Sequence, residues 1–276
     1  MEIFESDGVI RVPVRFSAPH TLDCGQCFRW ALQPDGSFLG VVSGVSARVW
    51  DESGALCIQT NRADFDALWQ DYFDCDRDYD KICEEFMIDD FTRQAGEFGA
   101  GMRILNQPPW ETLCSFLMSQ CNHIPRIRAI LNRLCERFGT AMELDGVTLY
   151  AFPEPEQLAV CTPDDLAFLR AGYRAPYLIG AAQSVVSSEL DLEALRALPT
   201  DEARNEIMKL RGVGRKVADC FLLFGLHKLD AFPVDTWMKK AAAFYSGDFN
   251  RFKNSPYAGI FQQYIFYYAR EHHIGS

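Results

Sequence analysis

Long apolar runs are missing from this chain of 276 residues. Residues 1–20 mix acidic, basic and apolar side chains, and apolar stretches elsewhere, such as 221–224, are short. No membrane-spanning helix and no signal-peptide pattern is read, so a soluble, cytoplasmic protein is expected. A basic excess is missing too: 27 Lys and Arg face 38 Asp and Glu, a formal charge of −11. Taken alone, this argues against a nucleic-acid partner, because phosphates attract net-positive surfaces. Clustered cysteines are a third absence. The ten are scattered through a large chain, which favours reduced thiols over a disulfide framework. Only Cys24-Gly-Gln-Cys27 has metal-like or redox-like spacing, with no second pair nearby. Beyond Cys161 only Cys220 remains, so no four-cysteine iron–sulfur cluster can form in the C-terminal half, and neither metal nor cofactor is expected. Repeats and low-complexity linkers are absent, and 48% hydrophobic with 24% charged residues excludes a disordered chain.

What is present falls into two parts. Residues 9–16 alternate in polarity, 26–32 and 37–49 are rich in aromatic and β-branched residues, and Pro34-Asp35-Gly36 is a turn signal between them. From Asp64 the period becomes helical, with Phe65, Leu68, Trp69 and Tyr72, then Tyr79, Ile82, Cys83 and Phe86, at three- and four-residue spacing. Helices are predicted to start near Trp110 and Pro125, the latter with an apolar stripe of Ile127, Leu131, Leu134, Cys135 and Phe138, and near Pro163, Pro176 and Asp201. The expected fold is α+β: an N-terminal antiparallel β-sheet unit over 1–98, packed on a mainly α-helical body over 99–276.

The stretch Lys209-Leu-Arg-Gly-Val-Gly-Arg-Lys-Val-Ala-Asp-Cys220 reads as a helix, a hairpin over 210–215 and a second helix. Gly212 and Gly214 allow a tight turn with Val213 packed inward, and free N–H groups at the following helix start suit a backbone phosphate. A plain helix–helix connector satisfies the same residues. Further on, Phe232-Pro-Val-Asp-Thr-Trp237 places Asp235 where an ordinary N-cap would sit.

Together, Leu210-x-Gly-Val-Gly-x-Lys-Val-Ala-Asp-Cys220 and Pro233-Val-Asp-Thr236 resemble the helix-hairpin-helix DNA glycosylases. The lysine narrows the match to bifunctional members, and Val-Ala-Asp-Cys narrows it to the 8-oxoguanine DNA glycosylases. Asp23-Cys-Gly-Gln-Cys-Phe-Arg-Trp30, Ser119-Gln-Cys-Asn-His-Ile-Pro-Arg126, Gly172-Tyr-Arg-Ala-Pro-Tyr177 and Tyr257-Ala-Gly with Gln262 and Phe266 match further motifs of that family in order.

The resemblance implies a monomeric base-excision enzyme acting on double-stranded DNA that contains 8-oxoguanine opposite cytosine. Lys216 is implied as the nucleophile on the sugar C1′, giving a Schiff base and strand cleavage. Its position beside Arg211, Arg215 and Val217 is one where the ammonium form is expected to be disfavoured. Asp235 is implied as the carboxylate that stabilises the developing positive charge. The flipped base is implied to lie between Cys220 and Phe266, with Gln262 on its Watson–Crick edge and the Gly25 carbonyl on its N7–H. Arg126 and Arg174 are implied readers of the opposite base, with Tyr173 as a wedge, and Asn122, Trp237 and the Gly212-Val213-Gly214 hairpin as further DNA contacts. Two departures stand out: Cys121 occupies a position where the family usually has asparagine, and Arg211 replaces the common hairpin proline. A same-fold glycosylase for another damaged purine and a non-catalytic DNA-binding module remain alternatives. The charge deficit is also uneven. Residues 1–100 hold 8 basic and 19 acidic side chains, while 101–276 hold 19 of each. Residues 122–139 and 209–216 are locally positive, and the acidic 64–97 stretch is expected to face away from DNA.

Overall fold

A computed structural model describes residues 3–245 and 247–275. Turn chemistry organises its N-terminal part. Strands β1 (Phe4–Ser6), β2 (Val9–Arg15), β3 (Ala31–Leu32), β4 (Phe38–Val42), β5 (Val45–Glu52) and β6 (Ala55–Gln59) form one antiparallel sheet in the order β1-β2-β6-β5-β4-β3. Asp7-Gly8, Ser43-Gly44 and Ser53-Gly54 each close a two-residue hairpin with both residues at positive φ, the geometry that matches strand twist. The sheet buries Ile10, Val12, Val49, Leu56 and Ile58 against Trp30, Trp69 and Phe73. Trp30 lies so close to Gly40 that a Cβ there would fall 2.5 Å from the ring, and its indole N–H donates to the Tyr72 hydroxyl at 2.8 Å. The helical period from Asp64 is present but carries a π-turn, Phe65–Trp69, which turns Phe65 and Trp69 fully inward.

The second part is built from helices α1 (Tyr79–Phe86), α2 (Asp90–Phe98), α3 (Pro109–Ser119), α4 (Ile124–Phe138), α5 (Ala175–Val186), α6 (Thr200–Ile207), α7 (Arg215–Gly225), α8 (Thr236–Phe244) and α9 (Ala258–Glu271). These helices share one apolar core, distinct from that of the sheet. None of the described helices is long and apolar enough to cross a membrane. Buried polar groups join the two cores. Arg29 donates to the Glu111 carboxylate (2.9 Å) and to the carbonyls of Tyr150 (2.9 Å) and Val41 (3.0 Å), bridging sheet, α3 and the residues beyond α4. Burial raises the Glu111 pKa, with Arg29 opposing that shift. Gln26 donates to the Thr21 and Arg103 carbonyls, both at 2.8 Å, and accepts from the Leu105 amide at 2.9 Å, so the crossing segment is pinned by its backbone.

Four local expectations change. Of 26–32 only Ala31–Leu32 is strand, because Gly25 sits at φ +96° and the following residues are buried as a packed loop. The 37–49 stretch divides at Ser43-Gly44 into β4 and β5. An additional hairpin, β7 (Ala141–Leu144) and β8 (Val147–Tyr150), interrupts the helices. No α-helix starts at Pro163. Thr162 and Asp165 do cap each other, but only the short 3-10 turn Ala167–Leu169 follows before Arg170 turns left-handed at φ +54° and stops propagation.

Candidate active site and nucleic-acid interface

The site begins with how α7 is seated. Phe116 on α3 and Phe224 on α7 stack at 5.5 Å and 17°, and Gly225 lets Thr112 come within 3.0 Å of where a Cβ would stand. This close helix pair carries Lys216, in the first turn of α7, over α3. Its ammonium donates to the Ser119 hydroxyl at 3.3 Å and lies 5.2 Å from the Phe116 ring centroid. Cys220, one turn further on, is buried, and burial pushes its thiol up to about 11, with Lys216 opposing, so it stays protonated.

Ahead of α7, Gly212 takes φ +92°, and a Cβ there would meet the Tyr177 ring at 2.5 Å. The hairpin therefore lies flat on Tyr177, with Val213 buried. A Cβ at Gly214 would meet nothing within 4 Å, so that side of the turn is open beside the α7 N-terminus. Asp235 caps α8, one oxygen accepting from the Met238 amide at 2.8 Å. No described residue donates to its other oxygen.

These residues meet in one cleft. Gly25, Lys216, Cys220, Asp235, Gln262 and Phe266 line it together with Phe116, Phe224, Pro233 and Gln263. Two acceptors there lack partners: the buried Gln262 Oε1 and, among the described residues, the Gly25 carbonyl.

A second group surrounds the α3–α4 loop. Cys121 is exposed at its tip with φ +46°. Asn122 turns back, its amide donating to the Met118 carbonyl at 3.1 Å. Tyr173 is half exposed against Tyr177 and Arg174. Arg174, an implied reader of the opposite base, has its donors engaged within the protein. It is 4% exposed and spends its donors on the carbonyls of Gln120 (2.8 Å), Ala171 (3.1 Å) and Cys121 (3.2 Å), bracing the loop from below. Arg126 is exposed and donates to the Arg170 carbonyl at 3.2 Å. The Trp237 ring packs against Lys240 and His273. Cys24 and Cys27 are separate buried thiols whose pKa values burial raises, and neither belongs to a group of metal-ligand residues among those described.

Two family models match in succession: the 8-oxoguanine DNA glycosylase N-terminal domain over residues 9–113 and the HhH-GPD superfamily of base excision DNA repair proteins over 114–248. Clostridium acetobutylicum 8-oxoguanine glycosylase/lyase, solved with dsDNA containing cytosine opposite 8-oxoG, superposes with a TM-score of 0.94 and is 37% identical, the match covering 99% of each chain. The chain belongs to the 8-oxoguanine DNA glycosylase family. Among curated relatives, the Saccharomyces cerevisiae N-glycosylase/DNA lyase is 40% identical over 51% of this chain and 41% of its own length. The Arabidopsis thaliana N-glycosylase/DNA lyase OGG1 is 28% identical over 82% of this chain and 65% of its own. The match thus spans about half the length of such relatives.

Within this family frame, the motifs carried Lys216, Cys220, Asp235, Gln262, Phe266 and Gly25, which the fold brings together. They did not single out Phe116, Phe224 or Gln263, and they carried Ser119 only as the first residue of the 119–126 motif, with no role beside the lysine. Phe116 and Ser119 lie three apart on α3, but only the α3–α7 packing shows that this face meets the lysine.

Proposed function

We propose that this protein is a bifunctional DNA glycosylase and abasic-site lyase that removes 8-oxoguanine opposite cytosine from duplex DNA in the cytoplasm. It works as a monomer, through an N-terminal unit over 1–98, whose sheet has its own core and whose last two helices pack into the helical core, and a helical catalytic unit over 99–276. The observation that carries this reading is one cleft in which an amine and a carboxylate stand beside two unpartnered hydrogen-bond acceptors. The buried Gln262 oxygen is costly to leave without a donor, so it calls for one from a ligand, and the Gly25 carbonyl is open to a second. 8-Oxoguanine offers such donors: N1–H and N2–H on its Watson–Crick edge for Gln262, and N7–H for the Gly25 carbonyl. Guanine has a bare N7 acceptor, which would face the carbonyl unfavourably at a cost of roughly 1–3 kcal/mol.

In the chemical step the deprotonated Lys216 amine forms a bond to C1′ as the C1′–N9 bond breaks, its electron pair leaving with the base, which takes up a proton. Asp235, with one oxygen held by its helix cap, keeps its other oxygen for the positive charge growing on the sugar. Opening of the sugar gives a Schiff base. Loss of a 2′ proton then expels the 3′ phosphate. Cys220 and Phe266 sandwich the flipped base, while the hairpin and the positive 122–139 segment hold the backbone.

Lys216→Gln is expected to abolish both base release and borohydride trapping on duplexes carrying 8-oxoguanine opposite each of the four bases. Trapping retained by that variant overturns the assignment.

A further inference from the structure

The backbone from Asp23 to Gln26 passes the cleft with uneven hydrogen bonding. Arg270, in the last turn of α9, donates from Nη2 to the Asp23 carbonyl at 3.2 Å and from Nη1 to the Cys24 carbonyl at 2.9 Å. The Cys24 carbonyl also takes the Gln263 amide at 3.5 Å, and the Gln26 carbonyl accepts from Gln107 at 2.9 Å. Between them the Gly25 carbonyl alone has no donor among the described residues. All described peptides are trans. With the Cys24 carbonyl held toward α9, the Gly25 amide must turn the opposite way, which restricts the next peptide unit, the one with the free carbonyl.

Arg270 is itself held. Its Nε donates to Glu271 at 2.8 Å, its side chain is 17% exposed, and its guanidinium lies 5.6 Å from the Phe266 ring centroid. A Cβ added at Gly25 would stand 3.2 Å from Arg270 Nη1 and 3.6 Å from the Phe266 ring. One planar, permanently charged fork therefore touches the loop that presents the free carbonyl and the ring facing that loop.

We propose that Arg270 is a positioning residue for lesion discrimination, setting the Gly25 carbonyl and the Phe266 ring at the spacing that a purine bearing N7–H requires. The inference rests on the reading of the cleft as an 8-oxoguanine pocket. Among the described residues no hydrogen bond, ion pair or ring contact joins Arg270 to Lys216 or Asp235, so its effect falls on base recognition and not on the lyase step at a site that has lost its base.

Three measurements separate these roles: single-turnover release of 8-oxoguanine, incision of a duplex with a preformed abasic site, and the binding preference for an 8-oxoguanine duplex over a guanine duplex, each carrying a 2′-fluorine to block cleavage. Arg270→Met is expected to reduce the preference and the rate of base release roughly tenfold, the scale of one hydrogen bond, while abasic incision is kept. Arg270→Lys, able to reach one carbonyl, is expected to fall between Met and wild type. Loss of abasic incision in proportion, an unchanged preference in Arg270→Met, or a lysine variant no better than methionine overturns the inference. A wild-type protein that releases no 8-oxoguanine overturns the proposed activity and this inference with it. Release by wild type with unchanged preference in Arg270→Met overturns this inference alone.

Discussion

Gln262 shows how the demands of the site and of the fold diverge at a single residue. Its side-chain oxygen is buried without a donor, an arrangement that lowers the stability of the free protein by about 1–3 kcal/mol. Gln262→Met keeps the length of the side chain and removes the stranded acceptor. It is expected to raise the melting temperature in calorimetry while slowing 8-oxoguanine release at least tenfold, the two effects moving in opposite directions. A variant that loses stability and activity together would show that the amide is already satisfied. Neither the stranded oxygen nor the Arg270 fork was legible in the sequence, because both depend on which groups α9 meets across more than 200 intervening residues. Residue identity was legible: Lys216, Cys220, Asp235, Gln262 and Phe266 stood out because family motifs name short strings. Arg174 illustrates the limit, since a motif can mark a residue without saying that its donors are already engaged.

Among the elements, the hairpin before α7 depends on contact with α5. The Tyr177 ring lies 2.5 Å from where a Cβ on Gly212 would be, and φ there is +92°. Gly212→Ala must displace either the turn or the ring, a strain of roughly 1–3 kcal/mol. It is expected to lower the melting temperature and to weaken binding to duplexes with and without the lesion alike, as measured by fluorescence anisotropy. Loss confined to lesion-bearing DNA would place the hairpin in base recognition instead. The strand order was not legible, but the hairpins had signals: Asp145-Gly146, Ser43-Gly44 and Ser53-Gly54 all take paired positive φ values, and a small polar residue followed by glycine is itself a two-residue turn signal. Reading them would have added β7 and β8 and divided 37–49. Pro163 failed for the opposite reason. Its start signal is intact, yet a helix also needs room to propagate, and Arg170 and Gly172 both take positive φ soon after.

Across the whole molecule, the acidic first hundred residues do more than lower the net charge. Asp89 caps α2 and reaches the C-terminal part of the chain, accepting from Tyr245 and, at 2.7 Å, from Arg251. Burial alone would raise its pKa, but hydrogen bonds from Thr92, Tyr245 and Arg251 outweigh it and hold the carboxylate at about 2, below the ordinary 3.8. Tyr245 is pushed the other way, to about 12 from an ordinary 10, by burial and by Asp89. The carboxylate therefore contributes stability that is complete above about pH 4 and lost as pH falls through about 2. The phenol contributes stability that is complete below pH 10 and lost as pH rises through 12. Asp89→Asn is expected to remove the acid-side dependence, seen as denaturation midpoints of wild type and variant that converge between pH 4 and 2. Parallel midpoints across that range would remove Asp89 from the acid transition.

The loop that Arg174 braces has one more property. Of the ten thiols only Cys121 is exposed, and it stands at the tip of that loop beside the Tyr173 hydroxyl. A maleimide dye at limiting concentration would couple there first, without any engineered cysteine. If the proposed duplex binding brings DNA against this loop, the emission of the dye is expected to change on adding duplex, an optical signal separate from any chemical product.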